Sequence, residues 1–434
     1  MLSTGQDMIS LMKTLWPINR SITGKGLRKT LRIIQEYIPD LELHEVKSGT
    51  KVLDWEVPDE WEIKAAYLKN PEGKVIADFK LNNLHVLGYS TAVDAELSLD
   101  ELLPHLYSLP EQPEAIPYVT SYYQRNWGFC IEDSVKQNLT PGIYKAHIEA
   151  QHFKGSLTYG ELLIKGKSDK EVLISTYCCH PSMANNELSG PCVAVALAQW
   201  LSQQSDLKYS YRFVFAPETI GAATVLEKNR THLVDKVIAA FNLTCVGDER
   251  TWSLMPSRLR DTYTDKIARH ALKYYVSAYD EYSWNDRGSD ERMYCSPLIN
   301  LPMVSVMRSK YGTYPEYHTS LDKMGEVVTG EGLEASLRMH QKMIEILEHD
   351  CVPMSLIYGE PQLGRRGLYP MISKKGSSDL ARNRLNLISY ADGNHSLLDI
   401  AEKCEVAFEE LLPEVELLEK HNILAINNFN SVLN

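Results

Sequence analysis

The sequence lacks the features that mark membrane-spanning, secreted and disulfide-bonded proteins. Its longest uninterrupted apolar run, residues 192–198, is far too short to span a bilayer. The first residues mix apolar and polar positions at helical spacing, whereas a signal peptide has a basic start and an unbroken apolar stretch. The eight cysteines show no repeating spacing and no C-x-x-C pair, which is typical of reduced thiols inside a cell. We therefore expect a cytoplasmic protein.

Basic residues are scarce relative to acidic ones. The chain of 434 residues has 57 Asp and Glu against 45 Lys and Arg, so its formal net charge is −12. Because binding to nucleic acid or to an anionic membrane needs a basic face, we expect neither as a partner. The composition, 44% hydrophobic and 24% charged, is ordinary for a globular protein. At about 150 residues per domain, the length predicts two to four domains.

Patterning along the chain predicts three domains, one of them inserted into another. Residues 1–40 and 136–355 combine helical periodicity with alternating strands and helices, which predicts an α/β domain with a mostly parallel sheet flanked by helices. Residues 41–135 consist of short alternating runs separated by turn signals, which predicts a small β-rich insert. Residues 360–434 follow the order helix, turn, helix, turn, helix, short strand, which is the plan of a winged helix-turn-helix.

Strand-like runs in the α/β segment define the expected sheet. Residues 142–153 and 155–166 are separated by few residues, so we expect them to form an antiparallel pair. Residues 170–180 form a near-continuous apolar run, which is typical of a strand buried on both faces. Further strands are predicted at 210–218, 236–246 and 302–308.

Polar side chains follow these strands at the point where active sites of open α/β sheets gather. His180 ends the first buried strand, and Asn186 and Glu187 precede a helix start at residues 189–191. These groups are either metal ligands and their supports or an ordinary polar loop, in which a carboxylate favours the helix dipole. Glu218 ends the next strand and is either a general base or a helix-capping acid.

Two further candidates complete the set. Asp248 follows another apolar strand and a glycine, and its alternative role is an Asx turn. His318 lies in a loop rather than on an apolar helix face, which is compatible with metal binding, and its alternative role is structural, the commoner one for a single histidine. Histidines and carboxylates at successive strand ends match the ligands that Zn²⁺ takes, with a glutamate nearby to accept a proton from bound water.

These segments resemble the zinc aminopeptidases of the clan that includes bacterial leucyl aminopeptidases and glutaminyl cyclases. That family has strand–His, Asp-Asn-x-Ser-Gly, Glu-Glu-x-Gly, Asp, Ser-Asp-His and Tyr-His-Thr-x-x-Asp in this order. The chain matches the pattern at His180, 186–190, 218–221, Asp248, 289–291 and 317–322. Ser-Ile-Thr-Gly at 21–24 and Pro-Glu-Thr-Ile-Gly at 217–221 resemble a bacterial branch of unassigned function. Members of this branch carry an inserted β domain and a C-terminal winged helix and accompany surface-polysaccharide genes.

The resemblance implies metal-ligand roles for His180, Asp248 and His318, and a general-base role for Glu218. At two other positions the sequence departs from the family pattern.

The departures affect the expected number of metal ions. Asn186 stands where the family has the aspartate that bridges two zinc ions, and Thr219 stands where it has a glutamate that binds the second ion. Without these two charges a pair of close cations would be poorly compensated, so we expect one zinc ion rather than two. Glu187, next to the lost aspartate, is our candidate for a substituting ligand.

Four residues are candidates for substrate contacts: Arg292, Asp290, Tyr317 and Asn186. The planar fork of Arg292 suits a substrate carboxylate, and its alternative role is an ion pair with Asp290 or Glu291. Tyr317, with Tyr311 and Tyr314, either walls the pocket or is an ordinary half-buried tyrosine.

We therefore predict a metal-dependent hydrolase, an aminopeptidase or amidase that acts on a small peptide or amide, with a link to surface-polysaccharide metabolism. The alternative is a metal- or ligand-binding scaffold that has lost hydrolysis. A transcriptional regulator is a weaker alternative, since residues 378–434 carry ten acids against four Lys and Arg, and such a surface repels phosphate. We expect the C-terminal domain to mediate protein interaction, and the protein to be a homo-oligomer.

Overall fold

The computed structural model describes residues 2–368 and 377–427, the latter with side chains from residue 381 onward. Contacts divide the chain into two compact units. The first comprises Met1–Thr264 and Tyr279–Arg338, and the second comprises Asp265–Ala278 and Met339–Asn434. Within the described residues, no helix is both long and apolar enough to cross a membrane.

The strands and helices are numbered in chain order. The strands are β1 (Glu42–Lys47), β2 (Lys51–Val52), β3 (Trp55–Glu56), β4 (Glu60–Lys69), β5 (Val75–Asp78), β6 (Val93–Ser98), β7 (Leu106–Tyr107), β8 (Phe129–Cys130), β9 (Ile143–Phe153), β10 (Ser156–Ile164), β11 (Glu171–Tyr177), β12 (Ser210–Ala216), β13 (Val237–Asn242), β14 (Ser253–Met255), β15 (Asp280–Glu281), β16 (Met303–Met307), β17 (Val352–Ser355) and β18 (Leu424–Asn427). The α-helices are α1 (Gly5–Leu15), α2 (Lys25–Tyr37), α3 (Leu99–Leu102), α4 (Asp133–Lys136), α5 (Ser189–Leu201), α6 (Ile220–Lys236), α7 (Tyr263–Tyr275), α8 (Glu291–Tyr294), α9 (Gly330–His349), α10 (Ser377–Tyr390), α11 (Leu397–Cys404) and α12 (Phe408–Lys420).

An eight-stranded sheet forms the centre of the first unit, in the order β1-β10-β12-β11-β13-β16-β14-β15. The inner strands β12, β11, β13 and β16 pair in parallel, and β1, β10 and β14 join antiparallel. All residues of β11, β12 and β13 are buried, because α5 and α6 pack against this part of the sheet. The predicted α/β architecture with a mostly parallel central sheet is confirmed.

The prediction that residues 142–153 and 155–166 pair with each other is wrong. β9 pairs with β4 and β6 in a separate four-stranded sheet, whereas β10 pairs with β1 and β12 in the large sheet. The physical reason is that the two strands bury their apolar faces in different cores: Tyr144 and Ile148 pack with the small sheet, and Leu157 and Tyr159 pack with the large one. The small sheet of the predicted insert therefore includes β9, and β1 belongs to the large sheet.

The second unit contains the predicted winged helix. Helices α10, α11 and α12 are followed by β18, which pairs antiparallel with β17. Gly393 has a positive φ of 81° in the predicted turn between α10 and α11. A buried ion pair between Arg384 and Glu414 joins α10 to α12. The parts of the predicted range 360–434 at 369–376 and 428–434 lie outside the described residues.

Gly190, in the first turn of α5, lies where this helix contacts the strand ends of the large sheet. A Cβ atom at this position would lie 2.3 Å from the carbonyl oxygen of Leu243 and 2.5 Å from Oγ1 of Thr176. Because the surrounding helix and strands are buried, they cannot move without a loss of packing. We expect Gly190→Ala to lower the free energy of unfolding by about 1–3 kcal/mol, measured by chemical denaturation.

The control for this substitution is Gly364→Ala, because a Cβ atom at Gly364 would meet no atom within 4 Å. Equal stability of the Gly190→Ala variant and the control would contradict the prediction.

Candidate functional site

The loop between β11 and α5 brings Glu187 back to His180. This loop ends in a short π-helical turn, Ala184–Leu188. Oε2 of Glu187 accepts hydrogen bonds from the backbone N–H groups of Cys179, at 2.6 Å, and of His180, and it lies 2.8 Å from Nδ1 of His180. This contact fixes the imidazole ring and leaves Nε2 on the opposite side of the ring.

Arg20 supports the same carboxylate from behind, and the sequence analysis did not identify it. Its Nε lies 3.2 Å from Oε1 of Glu187, and its Nη2 donates to the carbonyl oxygen of His180 at 2.7 Å. Both side chains of this ion pair are fully buried. The signal in the sequence that could have identified Arg20 is its position directly before the Ser-Ile-Thr-Gly segment at 21–24.

Glu187, a predicted metal ligand, belongs with Cys179 and His180 to a group whose ligand atoms lie close enough to hold a metal ion. Its two oxygens face Arg20, two backbone N–H groups and His180, so its position is that of a group that orients a histidine. Burial lowers the pKa of His180, but the hydrogen bond that its imidazole donates to Glu187 and the charges of Glu187 and Glu218 outweigh burial, and the pKa is raised overall.

Glu218 faces the free side of His180. Its Oε2 lies 3.6 Å from Nε2 of His180, and its side chain is 21% exposed. The pKa of Glu218 is raised, chiefly because the carboxyl group is largely removed from water. A carboxylate with a raised pKa next to an imidazole is suited to proton transfer near neutral pH.

A strained turn presents Glu218. Thr219 has φ of 62° and ψ of −69°, and the N–H of Ile220 donates to the carbonyl oxygen of Glu218 at 2.7 Å, which forms a γ-turn with positive φ. The Thr219 N–H donates to Oδ1 of Asp290 at 2.6 Å, and Thr219 Oγ1 accepts a hydrogen bond from Arg292.

Asp290 and Arg292 have different positions around this turn. Asp290 is fully buried, and its Oδ2 has no hydrogen-bond partner among the described residues. Burial, followed by the charge of Glu218, raises the pKa of Asp290 well above its usual range. Arg292 is exposed, and among the described side chains no carboxylate lies within 4.0 Å of its guanidinium. The alternative ion pairs of Arg292 with Asp290 or Glu291 are therefore not formed.

His318 lies close to His180. Their ring centroids are 5.3 Å apart, and His318 stacks on Tyr317 at 3.8 Å. Nε2 of His318 lies 3.2 Å from Oδ1 of Asn186, whose Nδ2 donates to the hydroxyl group of Tyr177 at 2.7 Å. Burial and the charge of His180 lower the pKa of His318 to about 3, so its imidazole is neutral at physiological pH.

Asp248 belongs to a different hydrogen-bond network. Its Oδ2 accepts from Asn185 Nδ2 at 3.0 Å and from the Ser309 N–H at 2.9 Å, and its Oδ1 accepts from Ser309 Oγ at 2.8 Å and from the Arg250 N–H at 3.0 Å. Each carboxylate oxygen thus has two protein donors. Across the described part of the chain, one group of His, Cys, Asp and Glu has ligand atoms within 4.8 Å of one another, and it consists of Cys179, His180 and Glu187.

A cavity of about 320 Å³ opens onto these groups. Its lining residues are Ile22, Trp55, Tyr118, Thr120, Tyr122, Tyr123, Cys179, His180, Glu218, Thr219, Ile220, Arg292 and His318. The structure thus places four of the candidate residues, His180, Glu218, Arg292 and His318, at one cavity.

The aromatic wall of the cavity differs from the predicted one. It consists of Trp55 and the tyrosines of segment 118–123, whereas Tyr311 donates a hydrogen bond to Glu291 and Tyr314 donates one to Asp322. Tyr317 reaches the site through its stacking on His318. The density of tyrosines at 118–123 was the signal that could have identified this wall.

Two family models cover nearly all of the chain. One, described as "Domain of unknown function (DUF4910)", matches residues 9–350. The chain belongs to the DUF4910 family. The other, a winged helix-turn-helix, matches residues 352–426, so this DUF4910 protein carries the predicted C-terminal winged helix.

Related proteins support the aminopeptidase-like fold. A Clostridium acetobutylicum protein, provisionally named a polysaccharide biosynthesis protein with an aminopeptidase-like domain, is 43% identical over 432 residues, which are 98% of this chain and 97% of the relative. The crystal structure of a provisionally named peptidase from Clostridium acetobutylicum matches with a TM-score of 0.91 at 40% identity and covers 98% of this chain and 96% of that one. The zinc aminopeptidase BSAP from Bacillus subtilis matches with a TM-score of 0.58 at 13% identity over 80% of this chain and 95% of that one, which shows the fold alone. The predicted resemblance to zinc aminopeptidases is confirmed at the level of fold.

Proposed function

We propose that this DUF4910 protein is a metal-dependent hydrolase that cleaves an amide bond in a small molecule, as an aminopeptidase or amidase. The observation that carries the proposal is the shared cavity of Glu218, His180, His318 and Arg292. It combines a proton acceptor, two imidazoles and a cation at one place. The aminopeptidase-like name of the relative and the fold of the Bacillus subtilis enzyme favour this class of chemistry.

We assign metal binding to the two imidazoles, His180 and His318. Glu187 holds Nδ1 of His180, which leaves Nε2 as the metal-binding atom in the manner of carboxylate-oriented histidine ligands. The neutral His318 ring is 5.3 Å away, and its contact with the Asn186 amide involves no opposite charge. A bound zinc ion would lower the pKa of a water molecule and polarise a carbonyl group.

The same residues favour one metal ion rather than two. Asn186 and Thr219 carry no charge, and both oxygens of Asp248 are occupied by protein donors. In this proposal Asp248 and Glu187 therefore have supporting roles, which replaces their predicted roles as ligands.

The remaining side chains would perform the proton transfer and the binding. Glu218 accepts a proton from the attacking water and returns it to the leaving nitrogen. Arg292 binds an anionic part of the substrate, because its guanidinium has free N–H donors beside the cavity. Asp290 and Asn186 act indirectly: Asp290 holds the turn under Glu218, and Asn186 contacts His318.

The name of a relative and the charge of the second unit support proposals about the cellular process and the partners of this protein. The name of the Clostridium acetobutylicum relative supports a role in polysaccharide metabolism. The acidic residues on α12 favour a protein partner over nucleic acid, and we propose a homo-oligomer in the cytoplasm.

A second candidate function is a ligand-binding scaffold without hydrolysis. It is favoured by Asn186 and Thr219, which replace two charged residues of the zinc-aminopeptidase pattern, and by the hydrogen-bonded state of Asp248. Metal content separates this candidate from the hydrolase.

Metal binding tests the proposal directly. We expect the purified protein to take up about one equivalent of zinc, measured by elemental mass spectrometry after dialysis, since His180 and His318 supply neutral ligands. His180→Ala and His318→Ala should each weaken zinc binding at least tenfold, in line with the effect of removing groups from a metal site. The exposed His421→Ala is the matched control. Absence of zinc uptake, together with no activation of amide hydrolysis by added metal, would favour the scaffold.

A further inference from the structure

The cavity wall offers a cation to its ligand. Arg292 is exposed, and one of its N–H groups donates to Thr219 Oγ1. A guanidinium has five N–H donors in a planar fork, so most of them remain for an anionic ligand. Among the side chains that the structure describes, no carboxylate lies within 4.0 Å to compete for them.

The same wall has few groups that could bind the ammonium group of a free amino terminus. Among the described lining residues, Glu218 is the sole carboxylate, and it lies 3.6 Å from Nε2 of His180. Asp290 is turned toward the Thr219 N–H and does not line the cavity. An ammonium group of a peptide substrate would therefore have to pair with Glu218, which the proposed reaction needs as a proton acceptor.

The cavity wall also contains aromatic residues that are partly exposed. Trp55 and Tyr123 are 40% and 56% exposed, with ring centroids 6.2 Å apart. The hydroxyl groups of Tyr118 and Tyr122 lie 2.7 Å apart at the same cavity. The negative face of an aromatic ring attracts the polarised C–H groups of a sugar ring, and tyrosine hydroxyls pair with sugar hydroxyls.

The size of the cavity limits the ligand to one ring with small substituents. Its volume of about 320 Å³ is at the lower end of the range for small-molecule sites. A long peptide would extend beyond it.

We infer that the substrate is an N-acylated amino sugar that carries a carboxylate or phosphate group, rather than a peptide with a free amino terminus. This inference rests on the proposed hydrolase function. The sugar ring packs on Trp55, the anionic group binds Arg292, and the amide lies beside the Glu218 carboxylate and His180.

The reaction is a hydrolytic deacylation. The oxygen of water bonds to the acyl carbon, and the bond between that carbon and the sugar nitrogen breaks with its electron pair on nitrogen. Glu218 passes one water proton to the nitrogen, and the acid proton of the released carboxylic acid also ends on the amine. The products are a carboxylate and an ammonium sugar, so no oxidant or reductant is needed.

The inference is tested with four probes on the zinc-loaded protein: N-acetylmuramic acid, N-acetylglucosamine 1-phosphate, N-acetylglucosamine and L-leucinamide. Binding is measured by calorimetry, and hydrolysis by release of acetate or ammonia. We expect at least one anionic sugar to bind about tenfold or more tightly than neutral N-acetylglucosamine, as expected for a charge-assisted contact. The carboxylate and phosphate probes distinguish the two sources of the negative charge.

Two variants assign the contacts. Arg292→Gln should remove the advantage of the anionic sugar while changing the affinity for N-acetylglucosamine less than about twofold. Trp55→Ala should weaken all three sugars alike. Arg230→Gln and Tyr358→Ala are the matched controls, because both side chains are exposed and lie outside the cavity.

The outcomes separate this inference from the hydrolase proposal. Faster hydrolysis of L-leucinamide than of any acylated sugar would overturn the substrate class and leave the hydrolase in place. An equal effect of Arg292→Gln on charged and neutral sugars would also overturn it. Tight binding of an anionic sugar without release of acetate would support the ligand class and contradict the hydrolase.

Discussion

Glu218→Gln is expected to lower kcat for amide hydrolysis by about 10²- to 10⁴-fold, the usual contribution of a positioned general base. Glutamine has the same length as glutamate and can occupy the turn over Thr219, but its amide cannot accept a proton from water. The zinc content should stay the same, because we assign metal binding to His180 and His318. Acetate or amine release at saturating substrate gives kcat, and elemental mass spectrometry gives the metal content.

Glu72→Gln is the matched control, because Glu72 is exposed in the turn between β4 and β5. Its kcat should equal that of the unmodified protein. If Glu218→Gln kept its activity within about twofold, another group would have to accept the proton. If it lost zinc in parallel with activity, Glu218 would be a metal ligand rather than a base.

The strand ends of the site could be predicted because their signal is local. The apolar runs at 170–180 and 210–218 are long enough to identify buried strands, and His180 and Glu218 are the polar residues at which they end. Parallel strands of one sheet bring their carboxyl ends to the same edge. The position of both residues on one cavity therefore follows from sequence pattern and topology together.

The residues that hold the site residues in place could not be predicted in this way, because their contacts join segments that are distant in the sequence. Arg20 and Glu187 are 167 residues apart, and neither belongs to a periodic pattern that indicates the other. The same limit applies to loops. The spacing of apolar residues predicts which face a residue occupies on a strand or helix, but segments 118–123 and 311–317 have no regular spacing of this kind. Sequence reasoning therefore left open whether the tyrosines of segment 311–317 wall the cavity, and it did not identify those of segment 118–123.

Sheet membership was ambiguous for a related reason. The runs at 142–153 and 155–166 both have the pattern of strands, and a short connection is typical of a hairpin. The structure instead places them in two sheets with separate cores, because the first run pairs with β4 and the second pairs with β12. The pattern of one strand does not identify its neighbours.

Removal of one partner of the Arg20–Glu187 ion pair should cause the largest loss of stability. Both side chains are fully buried, so Arg20→Met leaves a buried carboxylate without its arginine, and Glu187→Leu leaves a buried guanidinium without its carboxylate. We expect each variant to lower the free energy of unfolding by about 3–5 kcal/mol, measured by chemical denaturation. Arg338→Met is the matched control, because the Arg338–Glu334 pair is on the surface and such pairs contribute about 0–1 kcal/mol.

The double variant Arg20→Met/Glu187→Leu separates stability from metal binding. Without either charge, the apolar side chains should recover a large part of the lost stability, because a buried ion pair replaced as a whole costs far less than one that is broken. Zinc affinity should not recover, since Nδ1 of His180 has lost the carboxylate that orients the ring, and loss of such a partner typically weakens metal binding about 10- to 100-fold. Full recovery of both properties would show that Glu187 does not orient His180. Additive losses of stability would show instead that Arg20 and Glu187 are not coupled through their charges.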